Sequence, residues 1–187
     1  MVDSSLVLTT PVFTTPRLVA QSLGSADWPH FQQLQQSPDV MRFVRDIESD
    51  TALALRFQQQ LAVQAPSLNV SVRLAHNQQF AGLAGFWLDD GHRKAEIGFM
   101  LQPELQGQGL GSELVAALIQ QAFAIPTVHK LIARVTAGNE GSRRVLTKQG
   151  FMQEGCLRAD YWLDGRWCDD WLFGLLRHEY QLETKAP

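Results

Sequence analysis

Cysteine is scarce in this sequence of 187 residues, which carries two, Cys156 and Cys168. Two cysteines cannot form the dense disulfide framework on which small secreted domains depend. If Asp164-Gly165 is a two-residue hairpin turn, counting outward pairs Cys168 with Tyr161 and Cys156 with Phe173. A disulfide is therefore not expected, and two free thiols fit a cytoplasmic protein. The five histidines lack the spacing, with each other or with cysteine, that metal ligation requires, so no metal is expected. No apolar run approaches the roughly 20 residues of a membrane span. The start, Met1-Val2-Asp3-Ser4-Ser5, lacks the basic and apolar segments of a signal peptide. Positive charge is not in excess: 16 Lys and Arg stand against 19 Asp and Glu, a net charge of −3. The basic residues come in short pairs such as Arg93-Lys94 and Arg143-Arg144, which argues against nucleic acid or a membrane surface as partner.

What is present is apolar residues in quantity, 45% of the chain, enough for one well-packed domain and too few for two. Residues 1–14 read as a tail or irregular lead-in, 15–180 as the domain and 181–187 as a C-terminal tail. The patterning predicts strands at 17–22, 69–74, 80–88, 94–101, 130–136, 151–158 and 166–176. Helices are expected at 26–36, 50–64, after the glycines of 107–111, and at 141–149, with Pro38 and Pro66 just beyond the first two. Runs of strands and helices in this order fit an α/β fold of mixed α+β type. Its sheet has about seven strands, mostly antiparallel, with helices on both faces.

The most informative stretch is Leu105-Gln106-Gly107-Gln108-Gly109-Leu110-Gly111-Ser112-Glu113. Its glycines run straight into a segment whose apolar residues Leu110, Leu114, Val115, Leu118, Ile119, Ala122 and Phe123 recur at helical spacing. Unpaired backbone N–H groups at a helix N-terminus, with no side chains in the way, suit a phosphate or pyrophosphate. Gly107-x-Gly109-x-x-Ser112 comes close to a dinucleotide fingerprint, and Arg134 would suit a phosphorylated ribose. That reading wants an acid about 20 residues on and a second half-sheet, and the chain supplies neither. An NADP-binding protein is therefore the runner-up.

Gln106-x-x-Gly109-x-Gly111 resembles the pyrophosphate motif Q/R-x-x-G-x-G/A of the GNAT superfamily of N-acetyltransferases, and it falls between the fourth strand and the third helix, as in that family. Asn139-Glu140-Gly141-Ser142 with Lys148-Gln149-Gly150-Phe151 is similar to the N-x-x-S…K-x-G-F segment of its RimJ/RimL-like branch, which contains ribosomal-protein N-terminal acetyltransferases. Thr15-Pro16-Arg17-Leu18 and the segment from Gly165 to Tyr180 resemble that branch too.

The resemblance implies transfer of an acetyl group from acetyl-CoA to a primary amine by direct attack, with both substrates bound together. The donor site would comprise Gln106, Gly107, Gln108, Gly109, Leu110, Gly111 and Ser112 at the pyrophosphate. The backbone of Phe99, Met100 and Leu101 would meet the pantetheine arm, and one N–H of that strand the thioester oxygen. Asn139 is chemically suited to cap the next helix, and the family also gives this Asn to the pantetheine. Many relatives place a proton-donating tyrosine where this chain has Leu146, so the resemblance passes that role to Ser142. An ammonium must lose its proton before attack. Glu96 is the candidate base, on one strand face with Gly98 and Met100. The acceptor side is sought among Asp160, Tyr161, Trp28, Phe31, Asp46 and Glu48, while Trp162, Trp167 and Trp171 fit the core or a dimer contact. Peptide N-termini, amino acids, polyamines and antibiotics all occur as acceptors in the superfamily, which also suggests a homodimer. A non-catalytic acyl-CoA-binding sensor is the alternative from another class.

Overall fold

A computed structural model describes residues 11–183, with side chains through Tyr180. These residues build an eight-stranded sheet whose strands run in the order β1-β2-β3-β4-β5-β6-β8-β7. The strands are β1 (Phe13–Thr14), β2 (Leu18–Ser22), β3 (Leu68–Leu74), β4 (Phe80–Leu88), β5 (Lys94–Leu101), β6 (Lys130–Thr136), β7 (Met152–Leu163) and β8 (Arg166–Leu176). The helices are α1 (Trp28–Gln35), α2 (Pro38–Met41), α3 (Asp50–Leu61), α4 (Leu110–Phe123), α5 (Glu140–Lys148) and α6 (Arg177–Glu183). The expected seven strands thus become eight, because two residues of the lead-in, Phe13 and Thr14, pair with Ala20 and Val19. Residues 1–10 of the lead-in and 184–187 of the expected C-terminal tail lie outside the described residues.

The central strand β4 is buried on both faces from Phe80 to Phe86, which explains its unbroken small and apolar run. On one side α4 packs with Leu114, Leu118 and Ile119 fully buried among the residues of the main core. Truncating one such leucine to alanine costs about 2–5 kcal/mol. On the other side α1, α2 and α3 bury Phe31, Leu34, Met41, Leu53 and Phe57 against Phe80 and Leu83. Every strand pair is antiparallel except β5–β6. This topology leaves no doubly wound half, so the dinucleotide-enzyme reading is overturned.

Several local expectations change for identifiable reasons. The first helix begins at Trp28, after a 3-10 turn over Ser25–Asp27, because Pro29 is tolerated in the first turn of a helix and not inside one. Pro38 opens the one-turn α2 instead of following a stop. α3 ends at Leu61, before the run toward Pro66. α6 is an addition to the expected helices. At its head Arg177 donates to the carbonyls of Phe123, Ile125 and Val128 at 2.8, 2.6 and 2.7 Å, closing the C-terminal end of α4.

The Asp164-Gly165 turn has both residues at positive φ, 51° and 71°, as a tight hairpin of this type requires. Its register holds for Tyr161 opposite Cys168 but then slips: Leu157 faces Asp170, and Cys156 faces Trp171 rather than Phe173. Four steps along β7 thus match two along β8, a bulge centred on Ala159 at φ 48°. The Ala159 N–H donates to Asp169 Oδ1 at 2.8 Å and holds it. Both cysteines are free. Trp162 and Trp167 are 51% and 62% exposed and meet edge to face, so they are not core residues.

Candidate active site

β5 and β6 run parallel but pair only from Lys94 to Glu96 with Lys130 to Ile132. Beyond that point both strands continue and part company, leaving the second half of β5 with an unpaired edge. A cavity of about 1240 Å³ occupies the split, lined from both faces of the sheet. The unpaired edge is where an extended ligand finds amide partners, since buried backbone groups must be satisfied.

One half of this cavity is built from contiguous sequence. Gly107 and Gly109 adopt φ of 73° and 80°, and Gly109 is the N-cap of α4. Around a Cβ added at Gly107 there is open space. The 14-residue α4 therefore presents the N–H groups of its first turn to the cavity without obstruction. Arg17 steadies the loop from outside: Nη1 donates to the Gln108 carbonyl at 2.9 Å, and Nε to Glu113 at 2.6 Å. Desolvation pushes the Glu113 carboxyl up, but hydrogen bonds from Thr15 and from the Arg17 N–H and guanidinium together hold it below its ordinary value.

Most of the donor-site residues expected from sequence gather here. Phe99, Met100, Leu101, Gln106, Gly107, Gly109, Gly111, Ser112, Asn139 and Ser142 all line the cavity. Gln106 also has a framework role, donating to the Leu101 carbonyl at 3.1 Å. Asn139 caps α5, its Oδ1 accepting the Ser142 N–H at 3.1 Å. Two members stand apart. The Gln108 side chain turns away to the Glu104 carbonyl at 2.8 Å, and Leu110 packs in the main core. Leu146, in place of the family's tyrosine, is fully buried in that core.

Glu96 is not among the lining residues. Its side chain is 40% exposed, and its Oε1 lies 3.9 Å from Arg134 Nε. It leaves the pairing point just as the strands diverge, and the ring of Trp87 covers the neighbouring Gly98, 3.1 Å from where a Cβ would stand. Trp87 therefore occupies the space that a side chain at position 98 would take.

The other half of the cavity is assembled from distant segments. Asp160 and Tyr161 both line it, directly after the bulge at Ala159. Tyr161 donates its hydroxyl proton to the Val44 carbonyl at 2.7 Å, and Asp46 accepts the Asp164 N–H at 2.8 Å. These bonds dock the segment after α2 against the β7–β8 hairpin and bring Arg42 and Arg45 to the cavity wall. Trp28, Phe31, Asp46 and Glu48 do not line the cavity. Trp28 and Phe31 belong to the smaller core, and Glu48 is held by Arg56 at 2.6 and 2.7 Å.

Asp170 is the residue whose weight the sequence conceals. It faces Thr136 across β6–β8 at the rim of the split, is 7% exposed, and lines the cavity. Its Oδ1 has no hydrogen-bond partner among the described residues. Burial pushes its carboxyl above the ordinary range; a hydrogen bond from Thr136 opposes this, the charge of Asp160 adds to it, and Arg134 opposes it. A buried carboxylate with a free oxygen facing a cleft is costly unless a cation or donor arrives.

Comparison with known proteins agrees with this geometry. The profile of the acetyltransferase (GNAT) domain family matches residues 17–152. The chain is 27% identical over 171 residues to the uncharacterized N-acetyltransferase p20 of Bacillus licheniformis, covering 89% of this chain and 96% of that one. Its fold is shared with the crystal structure of spermidine N-acetyltransferase from Vibrio cholerae in complex with CoA and spermine. That match has a TM-score of 0.78 at 22% identity, over 89% of this chain and 99% of the other. It is shared too with RimL, a ribosomal L7/L12 alpha-N-protein acetyltransferase in complex with coenzyme A, at a TM-score of 0.79 and 17% identity, over 89% and 98%. With its glycine loop, its split strands and a family match over most of its length, the chain belongs to the GNAT acetyltransferase family and is an N-acetyltransferase.

Proposed function

We propose that the protein moves an acetyl group from acetyl-CoA to a primary amine, both substrates lying together in the split between β5 and β6. The observation that carries this reading is the continuity of the cavity from the glycine loop to Asp170. The residues present suit acetyl-CoA: a glycine loop open at Gly107, a helix N-terminus for the pyrophosphate, and an unpaired strand edge for the amides of the arm. Acetyl-CoA supplies a thioester carbonyl; the rest of the chemistry falls to the side chains around it.

Asp170, with Asp160 beside it, receives the acceptor ammonium and takes its proton, which frees the nitrogen lone pair. The N–C bond then forms as the C–S bond breaks, and the second proton shed by the attacking nitrogen passes to the departing sulfur, which leaves as the free thiol of coenzyme A. An N–H on the open edge of β5 meets the negative charge growing on the carbonyl oxygen. Ser142, in the first turn of α5 and on the cavity wall, hydrogen-bonds the departing sulfur. Glu96, outside the cavity and beside Arg134, has no part in this proton transfer.

A thiol-release assay with acetyl-CoA across amino acids, peptides, polyamines and aminoglycosides, paired with calorimetry of acetyl-CoA binding, tests the reading. Binding with amine-dependent thiol release is the expected result. Tight binding without release from any amine would make the protein an acyl-CoA sensor, and absence of binding would end both readings.

A further inference from the structure

The acceptor half of the cavity carries charges of both signs. Arg42, Arg45 and Arg134 line it together with Asp39, Asp160 and Asp170, three cations and three carboxylates, with Arg134 3.9 Å from Asp160. A site made for a polycation would show an excess of carboxylates, so this balance calls for a ligand that itself bears both charges.

Arg45 is the most informative member. It sits on the segment that the Tyr161–Val44 bond docks against β7. Its Nη1 is buried without a hydrogen-bond partner among the described residues. The Glu48 carboxylate lies 3.9 Å from that nitrogen, beyond hydrogen-bond reach, and is already held at 2.6 and 2.7 Å by Arg56. Burial, with the charge of Arg56, disfavours the cationic form of Arg45, yet a guanidinium stays charged at any physiological pH. A partly buried cation whose one buried nitrogen is idle gains when an anion reaches that nitrogen.

In the same cavity Asp170 presents the complementary defect, an idle buried oxygen. Tyr161 lines the same cavity; burial pushes its phenol up, the Arg45 charge opposes this and the Asp170 charge adds to it. Two groups of opposite sign in one cavity, each with a buried polar atom that lacks a hydrogen-bond partner among the described residues, describe the outline of a dipolar ligand.

We propose that the acceptor is an amine that also carries a carboxylate, its ammonium on Asp170 and its carboxylate on Arg45. This rests on the N-acetyltransferase reading above and narrows its substrate class. It sets the protein apart in specificity from the polyamine enzymes whose fold it shares.

The test is thiol release by the full-length protein with two matched pairs of amines and with spermidine. One pair is a free amino acid and its carboxamide; the other is a tetrapeptide with acidic side chains and its glutamine counterpart. The first pair reads a small-molecule acceptor and the second a peptide. In at least one pair the carboxylate member should exceed its neutral partner and spermidine in kcat/KM by roughly tenfold or more, the loss expected when one partner of a desolvated charge pair is removed. Arg45→Gln should erase that gap through KM while acetyl-CoA affinity, measured by calorimetry, stays put and reports an intact fold. Arg45→Glu should turn the preference toward spermidine. Spermidine or the neutral partners serving wild type equally well, or a gap that survives Arg45→Gln, would overturn the inference while leaving the transferase reading in place. Absence of thiol release with every amine would overturn the transferase reading and this inference with it.

Discussion

The two halves of the cavity are made in different ways. The half proposed for acetyl-CoA is local: the segments from Gln106 to Ser112 and from Asn139 to Ser142 supply much of its wall, and a helix N-terminus opens onto it. The acceptor half is convergent. Arg45, Arg134, Asp160 and Asp170 come from four segments and are brought together by the β6–β8 and β7–β8 pairings, the latter with its bulge at Ala159, and by the docking of Val44 on Tyr161. The first kind of site depends on backbone conformation, and the second on register.

Substitutions can set these halves against each other. The largest effect is expected in the donor half. Gly109→Val forces a branched side chain into φ of 80°, where even an unbranched residue is disfavoured by about 1–2 kcal/mol, and crowds the approach to the first turn of α4. Acetyl-CoA affinity should fall well over tenfold by calorimetry; unchanged affinity in a folded variant would remove the loop from the donor site.

Asp170→Asn comes next and should spare acetyl-CoA affinity. Because burial raises the Asp170 carboxyl, and Asp160 adds to this against Thr136 and Arg134, the acid limb of kcat/KM for the amine should lie above the ordinary carboxylate range. The variant should lose that limb together with roughly tenfold to a hundredfold in rate. Stability should move the other way. The folded-state value lies above the ordinary 3.8, so folding takes up a proton in the window between them, and the contribution of Asp170 to stability falls as pH rises through it. Asp170→Asn should therefore raise Tm at neutral pH, and a lowered Tm would show the carboxylate to be structural.

Ser142→Ala should lower kcat by about tenfold with donor affinity intact, since one hydrogen bond to a leaving atom is lost. Turnover at the wild-type rate would take Ser142 out of the mechanism. The smallest effect is expected from Glu113→Gln, which loosens the Arg17 brace on the glycine loop. The pair is partly exposed, Arg17 half so, and such pairs contribute about 0.2–1 kcal/mol. A loss of donor affinity of about fivefold or less, with the amine KM unmoved, is the outcome that fits.

The same contrast explains what the chain discloses before it is folded. Glycines ahead of an apolar 3.6-residue period announce a helix N-terminus, and an Asn three residues before Ser142 announces a cap; both are contacts over short spans. The Asp164-Gly165 turn is equally legible, and so is the pairing next to it. The bulge is not. No residue of Leu157-Arg158-Ala159-Asp160-Tyr161 advertises a positive φ, and a register slip there decides which side chains meet the cavity. The burial of Asp170 depends on β6 and β7 flanking β8 at once, which local patterning does not disclose. Alternation gives the strand face of Glu96 but not the point at which its neighbour departs.

That departure has a consequence in the order of events. One cavity lined from the glycine loop to Asp170 has room for donor and acceptor side by side, so neither product must leave before the other substrate arrives. Double-reciprocal plots for such an enzyme intersect instead of running parallel, and free coenzyme A competes with the donor alone.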